Sequence, residues 1–325
     1  MDGWNKGVER GQPIRALHTA SRASISPMSG LDELDTGQVQ HLVVDGVALQ
    51  VRSWGEPTGR PVVFWHPLGD VTPGAYLTEL VPTLTARGLR LVAPDGPGFG
   101  GSPALPPEPY AAPRLAGLVW GLATALGLDR PVLMGHSWGG VVMLAAAGDR
   151  PRDVAALVLL DSGQIDYADR PGTHPEWSLD ERAAAITAAQ PTYADRSDLL
   201  RQVQADVRRP LTEAYAAGLA PAMRESSSGS LQPVVTALTR AAAQHGMLQE
   251  RSLDRWSALA GADVRALLLL ATEPEPVRAA NDQAARVVTA QHPGADIRAL
   301  PGWGHDLVAD GRPALAAIIG DWLTP

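Results

Sequence analysis

The sequence predicts an α/β fold in which a mostly parallel sheet is covered by helices on both faces and broken by one all-helical insertion. Three observations predict it. Short, continuously apolar runs alternate with helical stretches from about residue 60 to Asp161, the pattern of parallel βαβ units. From about Gly163 to Leu259 the pattern becomes helix after helix, and the alternation then returns. At Val132-Leu133-Met134-Gly135-His136-Ser137-Trp138-Gly139-Gly140 an apolar strand runs through a glycine-flanked turn straight into an apolar helix.

Residues 1–37 carry Gly, Pro, Ser and scattered charge without a period and are expected to be a flexible extension. The partly alternating stretch 38–44 and its continuation 47–54 flank Asp45-Gly46, a two-residue hairpin signal. Residues 61–65 read as a buried strand, 76–87 as a helix stopped by Gly88, and 89–93 as the next strand. A long turn, Pro94-Asp95-Gly96-Pro97-Gly98-Phe99-Gly100-Gly101-Ser102, precedes a helix over 111–127 with Leu115, Leu118, Val119 and Leu122 on one stripe. Residues 154–160 form a further buried strand. Within the expected insertion, 163–259, Ser178 and Glu181 have the spacing of a capping box. Leu199, Leu200, Val203 and Val207 mark a second helix, and Leu231, Val234, Val235 and Leu238 a third that Gly246 would stop. Residues 226–230, four serines and a glycine, read as a flexible joint. A strand over 264–270, a helix over 277–289, a strand over 295–300 and a closing helix over 313–323 complete a core made of 38–162 and 260–325.

Composition narrows the function. The 325 residues are 45% hydrophobic, enough for a full core. With 27 Lys and Arg against 35 Asp and Glu, the formal charge is −8, which argues against nucleic acid or an anionic membrane as partner. There is no cysteine, which excludes disulfides, thiolate catalysis and thiolate metal sites. No apolar stretch approaches the roughly 20 residues of a spanning helix, and residues 1–30 lack a signal-peptide core, so a cytoplasmic location is expected.

The chemistry centres on Ser137. A sharp strand-to-helix turn forces its central residue into a strained backbone beside which only small residues fit, hence glycine at 135 and 139. The hydroxyl is then held clear of the strand at the positive end of a helix dipole. Serine is a weak nucleophile, so it needs a base, a group that orients the base, and donors for an oxyanion. His305, in Pro301-Gly302-Trp303-Gly304-His305-Asp306 directly after the last strand, is the expected base. His136, inside the turn, is expected to pack beside the nucleophile. The oxyanion donors are expected from the backbone of Trp138 and of Leu68, in the loop after strand 61–65, where Pro67 has no N–H to offer.

These motifs resemble the α/β-hydrolase superfamily with a helical cap. The turn at Gly135–Gly140 resembles its nucleophile elbow, residues 94–102 its loop after the fourth strand, and Gly302-x-Gly304-His305 its histidine loop; the likeness spans about 40–325. It implies an α/β-hydrolase fold and a serine hydrolase that needs no cofactor and no metal. Carboxylic esters or lactones are the expected substrates. Serine at the elbow argues against the dehalogenases and epoxide hydrolases of the superfamily, which use Asp there. The chain departs from the pattern twice. His66-Pro67 stands where His-Gly is usual, and Ala271-Thr272-Glu273-Pro274-Glu275-Pro276 puts Pro274 where the orienting Asp is common. The acid is left open among Asp161, at the end of strand 154–160 where some branches place it, Glu273 and Glu275; Asp95 and Asp306 are expected to be structural. His66, Trp65 and Trp177 are the expected substrate contacts, with Trp138, Tyr193, Met223 and Met247 lining an apolar cavity under the cap. The expected partner is a small apolar substrate, with no nucleic acid, no membrane, and a homodimer left open.

Overall fold

A computed structural model describes residues 37–69, 74–170 and 172–324. Apart from Gly37, the extension expected over 1–37 lies outside the described residues. The chain opens on a hairpin of β1 (Gln38–Val44) and β2 (Val47–Trp54), closed by Asp45-Gly46, both at positive φ. There follow β3 (Arg60–Trp65), a 3-10 stretch (Gly74–Leu80) running into the short α1 (Val81–Thr85), β4 (Leu89–Pro94), α2 (Ala112–Ala125), β5 (Val132–His136), α3 (Trp138–Asp149) and β6 (Ala156–Leu160). The insertion contributes α4 (Leu179–Ala189), α5 (Arg196–Asp206), α6 (Glu213–Leu219), β7 (Met223–Glu225), β8 (Leu231–Pro233) and α7 (Ala237–Gln249). The chain then runs through α8 (Ser252–Gly261), β9 (Ala266–Ala271), α9 (Glu275–Gln291), β10 (Asp296–Leu300) and α10 (Leu307–Leu323).

The main sheet has eight strands in the order β1-β2-β4-β3-β5-β6-β9-β10; β1–β2 and β2–β4 are antiparallel and every other pairing is parallel. Side chains alternate between faces along each strand, so adjacent residues enter different cores. Val63, Trp65 and Leu133 join α2, α3 and α8 on one face. Val62, Phe64, Val132 and Met134 join α1 and α10 on the other. Strands buried on both faces read as unbroken apolar runs, which is why β5, β6 and β9 were legible.

The insertion differs from the expected all-helical one. It holds a two-stranded antiparallel ribbon, β7 with β8, extended by a backbone exchange between Tyr193 and Leu231. The serine run is the turn of that ribbon: Ser226 N–H donates to the Ser230 carbonyl at 2.8 Å and Gly229 N–H to the Ser226 carbonyl at 3.0 Å. The helical spacing of Leu231, Val234, Val235 and Leu238 is thus misleading, since Leu231 lies in a strand and α7 starts only at Ala237, capped by Thr236. Nor does Gly246 stop α7. It lies inside the helix where α7 crosses the chain at Tyr110, whose carbonyl oxygen would sit 2.3 Å from an added Cβ. Helix α8, which straddles the expected boundary at 259, packs on α3 and α9, with Trp256 in the core shared by α2 and α3. The closing helix begins six residues early, at Leu307, and is interrupted at Arg312 (φ 42°), just before Pro313.

Candidate active site

Parallel register builds the site. His136 pairs with Leu160 across β5 and β6, so Ser137 and Asp161 leave neighbouring strand ends side by side. Ser137 has φ 53° and ψ −119°, the strained turn expected of it. The glycines are needed for room: a Cβ on Gly139 would lie 2.0 Å from the Trp65 carbonyl oxygen, and one on Gly135 2.3 Å from that of Gly139. Ser162, fully buried, donates its hydroxyl to the Ser137 carbonyl and braces the turn from β6.

The loop after β10 carries His305 back over this edge. Its Nε2 lies 3.0 Å from Ser137 Oγ, and its Nδ1 2.5 Å from Asp161 Oδ2. Asp161 is 3% exposed. Its other oxygen accepts from Ala271 N–H and from the Asn281 side-chain amide, both at 2.9 Å. Burial alone would raise the Asp161 carboxyl, but the bond and charge of His305, with the Ala271 N–H, hold it below the ordinary carboxylate value. Ser137 is 6% exposed, so its hydroxyl is nearly covered.

Of the three carboxylates left open, only Asp161 meets the imidazole. Glu273, which the sequence put forward as a catalytic acid, has its carboxylate 41% exposed and 4.0 Å from the Arg208 guanidinium; its backbone N–H donates to the Trp303 carbonyl and holds the histidine loop. Glu275 is drawn to Arg278 at 2.5 Å on the first turn of α9. Pro274 offers no carboxylate, and the end of β9 contributes the Ala271 N–H to Asp161. Asp95 is structural, as expected: its carboxylate accepts from Gln50 and from Gly101 N–H and staples the 94–102 loop.

The expected substrate contacts fare less well. His66 is fully buried; its Nδ1–H donates to the Pro67 carbonyl at 2.8 Å and its Nε2 accepts from Gly96 N–H at 2.9 Å. Both ring nitrogens are used to tie the β3 loop to the β4 loop, and burial pushes the imidazole down to about 4. Trp65 is also fully buried, edge-on to Trp138 in the core. Trp177 is taken up within the insertion, stacked on His174 at 4.2 Å with Arg182 over its ring. Tyr193 and Met223 belong to a small core inside the insertion with Leu199 and Leu231, and Met247 to the main core. Leu68 is 2% exposed, and Trp138 occupies the first position of α3.

Other residues converge here, Tyr167 and Asn281 among them without having been singled out. His136 packs beside Ser137; its Nε2–H donates to the His305 carbonyl at 2.7 Å, its ring stacks on Tyr76, and burial pushes it down to about 4. Tyr167, in the turn after β6, is buried and its hydroxyl interacts with the side chains of Ser137 and Ser162. Asn281 lies on the buried stripe of α9 with Val277, Ala284 and Val288. A polar residue on an apolar stripe is the one signal by which sequence could have flagged it. Among the described residues no group of His, Cys, Asp and Glu is arranged to hold a metal ion, and no helix is long and apolar enough to cross a membrane.

Comparison with known proteins agrees with this architecture. A family model described as "alpha/beta hydrolase fold" matches residues 60–207. The chain is 25% identical to 2-hydroxymuconate semialdehyde hydrolase of Pseudomonas putida, over 60% of this chain and 66% of that protein. It is 34% identical to epoxide hydrolase A of Mycobacterium tuberculosis, over 40% of each. Thus the matched segments span 40% to 66% of these curated relatives' length. An esterase from Exiguobacterium antarcticum superposes with a TM-score of 0.66 at 17% identity, over 89% of this chain and all of that one. The chain therefore has the α/β-hydrolase fold, which accounts for its architecture and leaves its substrate to be argued from the site.

Proposed function

We propose that the protein is a serine hydrolase that cleaves a carboxylic ester or lactone through an acyl-enzyme on Ser137. The observation that carries this reading is the imidazole of His305, placed between Ser137 Oγ at 3.0 Å and the Asp161 carboxylate at 2.5 Å. Neutral His305 takes the Ser137 proton at Nε2 as Oγ attacks the carbonyl carbon, while Asp161 keeps the other proton on Nδ1 and stabilises the imidazolium. The tetrahedral oxyanion forms beside the first turn of α3. There the Trp138 N–H has no acceptor within its own helix and points, with the helix dipole, at developing negative charge. Leu68 N–H supplies the second donor. The imidazolium returns its proton to the leaving oxygen, and water activated by His305 then releases the acid.

The likeness to 2-hydroxymuconate semialdehyde hydrolase favours a second use of the same triad, hydrolysis of a carbon–carbon bond, with thioesters and amides as further acyl donors. Serine at the elbow separates both readings from aspartate-based epoxide opening. The test is hydrolysis of short-chain p-nitrophenyl esters by wild type and Ser137→Ala, together with labelling by a fluorophosphonate. Turnover and labelling that vanish in Ser137→Ala support the proposal. A wild-type protein that neither turns over an ester nor takes the label leaves a non-catalytic small-molecule-binding protein on the same scaffold and overturns the enzymatic reading.

A further inference from the structure

The proposed base sits in an irregular loop, and an imidazole on a loop is held to a productive position only if other groups tie the loop down. Here the core supplies part of the ties, His136 on the His305 carbonyl and Glu273 N–H on the Trp303 carbonyl, and the insertion supplies the rest. Asp306, the residue after His305, accepts from the Tyr76 hydroxyl and from Ala309 N–H with one oxygen, and from the Tyr215 hydroxyl at 2.8 Å with the other. Asp310, one turn along α10 and 3% exposed, accepts from Gly304 N–H at 2.7 Å with one oxygen and from Arg208 N–H at 3.0 Å with the other. Arg312 donates to the Pro210 carbonyl, and the Arg209 guanidinium lies 6.0 Å over the ring of Trp303. Arg208, Arg209, Pro210 and Tyr215 all belong to one strap of the insertion, residues 207–215, between α5 and the first turn of α6. Both chain neighbours of His305, Gly304 and Asp306, are therefore linked to this strap through a carboxylate.

Helix capping explains only part of this. A cap on α10 needs one Asp306 oxygen for Ala309 N–H, and it uses neither the second oxygen nor Asp310. Burying a carboxylate is costly unless every lone pair finds a donor, and bonds to an ionised acceptor are stronger and shorter than neutral ones. The two carboxylates form a bridge with one end on the base's loop and the other on the strap.

We propose that Asp306 and Asp310 are positioning residues that make docking of the 207–215 strap a condition for holding His305 against Ser137 and Asp161. The inference rests on the reading of His305 as the general base. A strap lifted away loosens Gly304 and Asp306 together, so the triad is assembled when the insertion is seated and slackens when it is not.

The test uses two variants of the whole protein, Tyr215→Phe, which deletes one bond and keeps the ring, and Asp310→Asn, which keeps the size and presents an amide to one of the two N–H groups. In ester hydrolysis each variant is expected to lose on the order of 10-fold in kcat at unchanged KM, less than the roughly 100-fold that a displacement of about 1 Å costs. A second readout needs no substrate: the far-downfield proton resonance of His305 Nδ1–H in its bond to Asp161, expected in wild type and broadened or shifted in both variants. Unchanged kcat with an intact resonance overturns the proposal, whatever happens to the melting temperature. So does a rise in KM with an intact resonance, which would place the strap's effect on substrate. If the wild type proves not to hydrolyse esters, the functional reading fails while the resonance still decides whether the strap positions His305.

Discussion

The carboxyl edge of the sheet and the insertion above it hold their residues in place by different means. At the edge, position comes from backbone register and close contact. Ser137 and Asp161 end neighbouring parallel strands, and α3 begins without any side-chain cap, as do α1, α2, α8 and α9. The insertion inverts this. Its own core is Tyr193, Leu199, Met223 and Leu231, yet each of its four helices is capped by a side chain: Ser178, Asp195, Thr212 and Thr236. A cap contributes about 1 kcal/mol, little beside a helix that buries a full apolar stripe. On α4 and α5, with one buried residue each, it is a large share of what keeps them wound. Packing and register thus fix Ser137 and Asp161, whereas hydrogen bonds hold the insertion and the His305 loop beneath it.

The largest effect should come from the edge. Asp161→Asn keeps the shape and the Asn281 contact but no longer favours the Nδ1–H tautomer of His305, so kcat should fall by roughly 10⁴-fold. Glu273→Gln, on the loop where the superfamily's acid is common, should leave kcat unchanged. Equal losses in the two variants, measured on one ester with active sites titrated, would return the acid to the β9 loop and break the comparison.

The same contrast explains what could be read from the chain. The elbow was legible because its requirements are local: glycine at 135 and 139 is dictated by backbone atoms within a few residues or on the adjacent strand. The β strands were legible because burial on both faces leaves unbroken apolar runs. The acid was not, because the choice among Asp161, Glu273 and Glu275 depends on donors far along the chain, Ala271 N–H and Asn281. His66 and Trp65 looked like pocket walls because they follow or end a strand at the edge; the structure spends both ring nitrogens of His66 on the backbone and buries Trp65 against Trp138. The ribbon in the insertion was missed for a third reason. Its strands are three residues each, too short for a period of two to show against an accidental helical spacing.

Two buried histidines make the edge sensitive to acid. His66 and His136 are each pushed down to about 4 by burial, from an ordinary value of 6.5. Between these values the unfolded chain binds protons that the folded chain refuses, so stability falls as pH drops from 6.5 towards 4 and loses nothing further from them below that. At about 1.4 kcal/mol per pH unit for each ring, the pair should cost about 4 kcal/mol at pH 5. Urea unfolding at pH 7 and pH 5 measures the loss. His66→Gln should remove about half of it, whatever the variant's own stability at pH 7. A variant with the wild-type pH dependence would mean that His66 is not held neutral by the β3 and β4 loops.

The smallest effect tests the insertion's side of the comparison. Ser178 Oγ accepts from Glu181 N–H while the Glu181 carboxylate accepts from Ser178 N–H, a complete capping box on α4. Along α4 the one buried residue is Arg182, whose guanidinium donates to the Thr173 and His174 carbonyls. With so little apolar burial behind it, α4 should answer to its cap. Ser178→Ala should cost about 1 kcal/mol, and the cost should stay local. Hydrogen exchange should quicken about fivefold over residues 179–189, since 1 kcal/mol is a factor of about five in an opening equilibrium. Strands β5 and β6, which open only with the whole sheet, should exchange as before. If β5 and β6 quicken by the same factor, the insertion and the sheet unfold as one unit, and the division between a packed edge and a hydrogen-bonded cover does not extend to their stability.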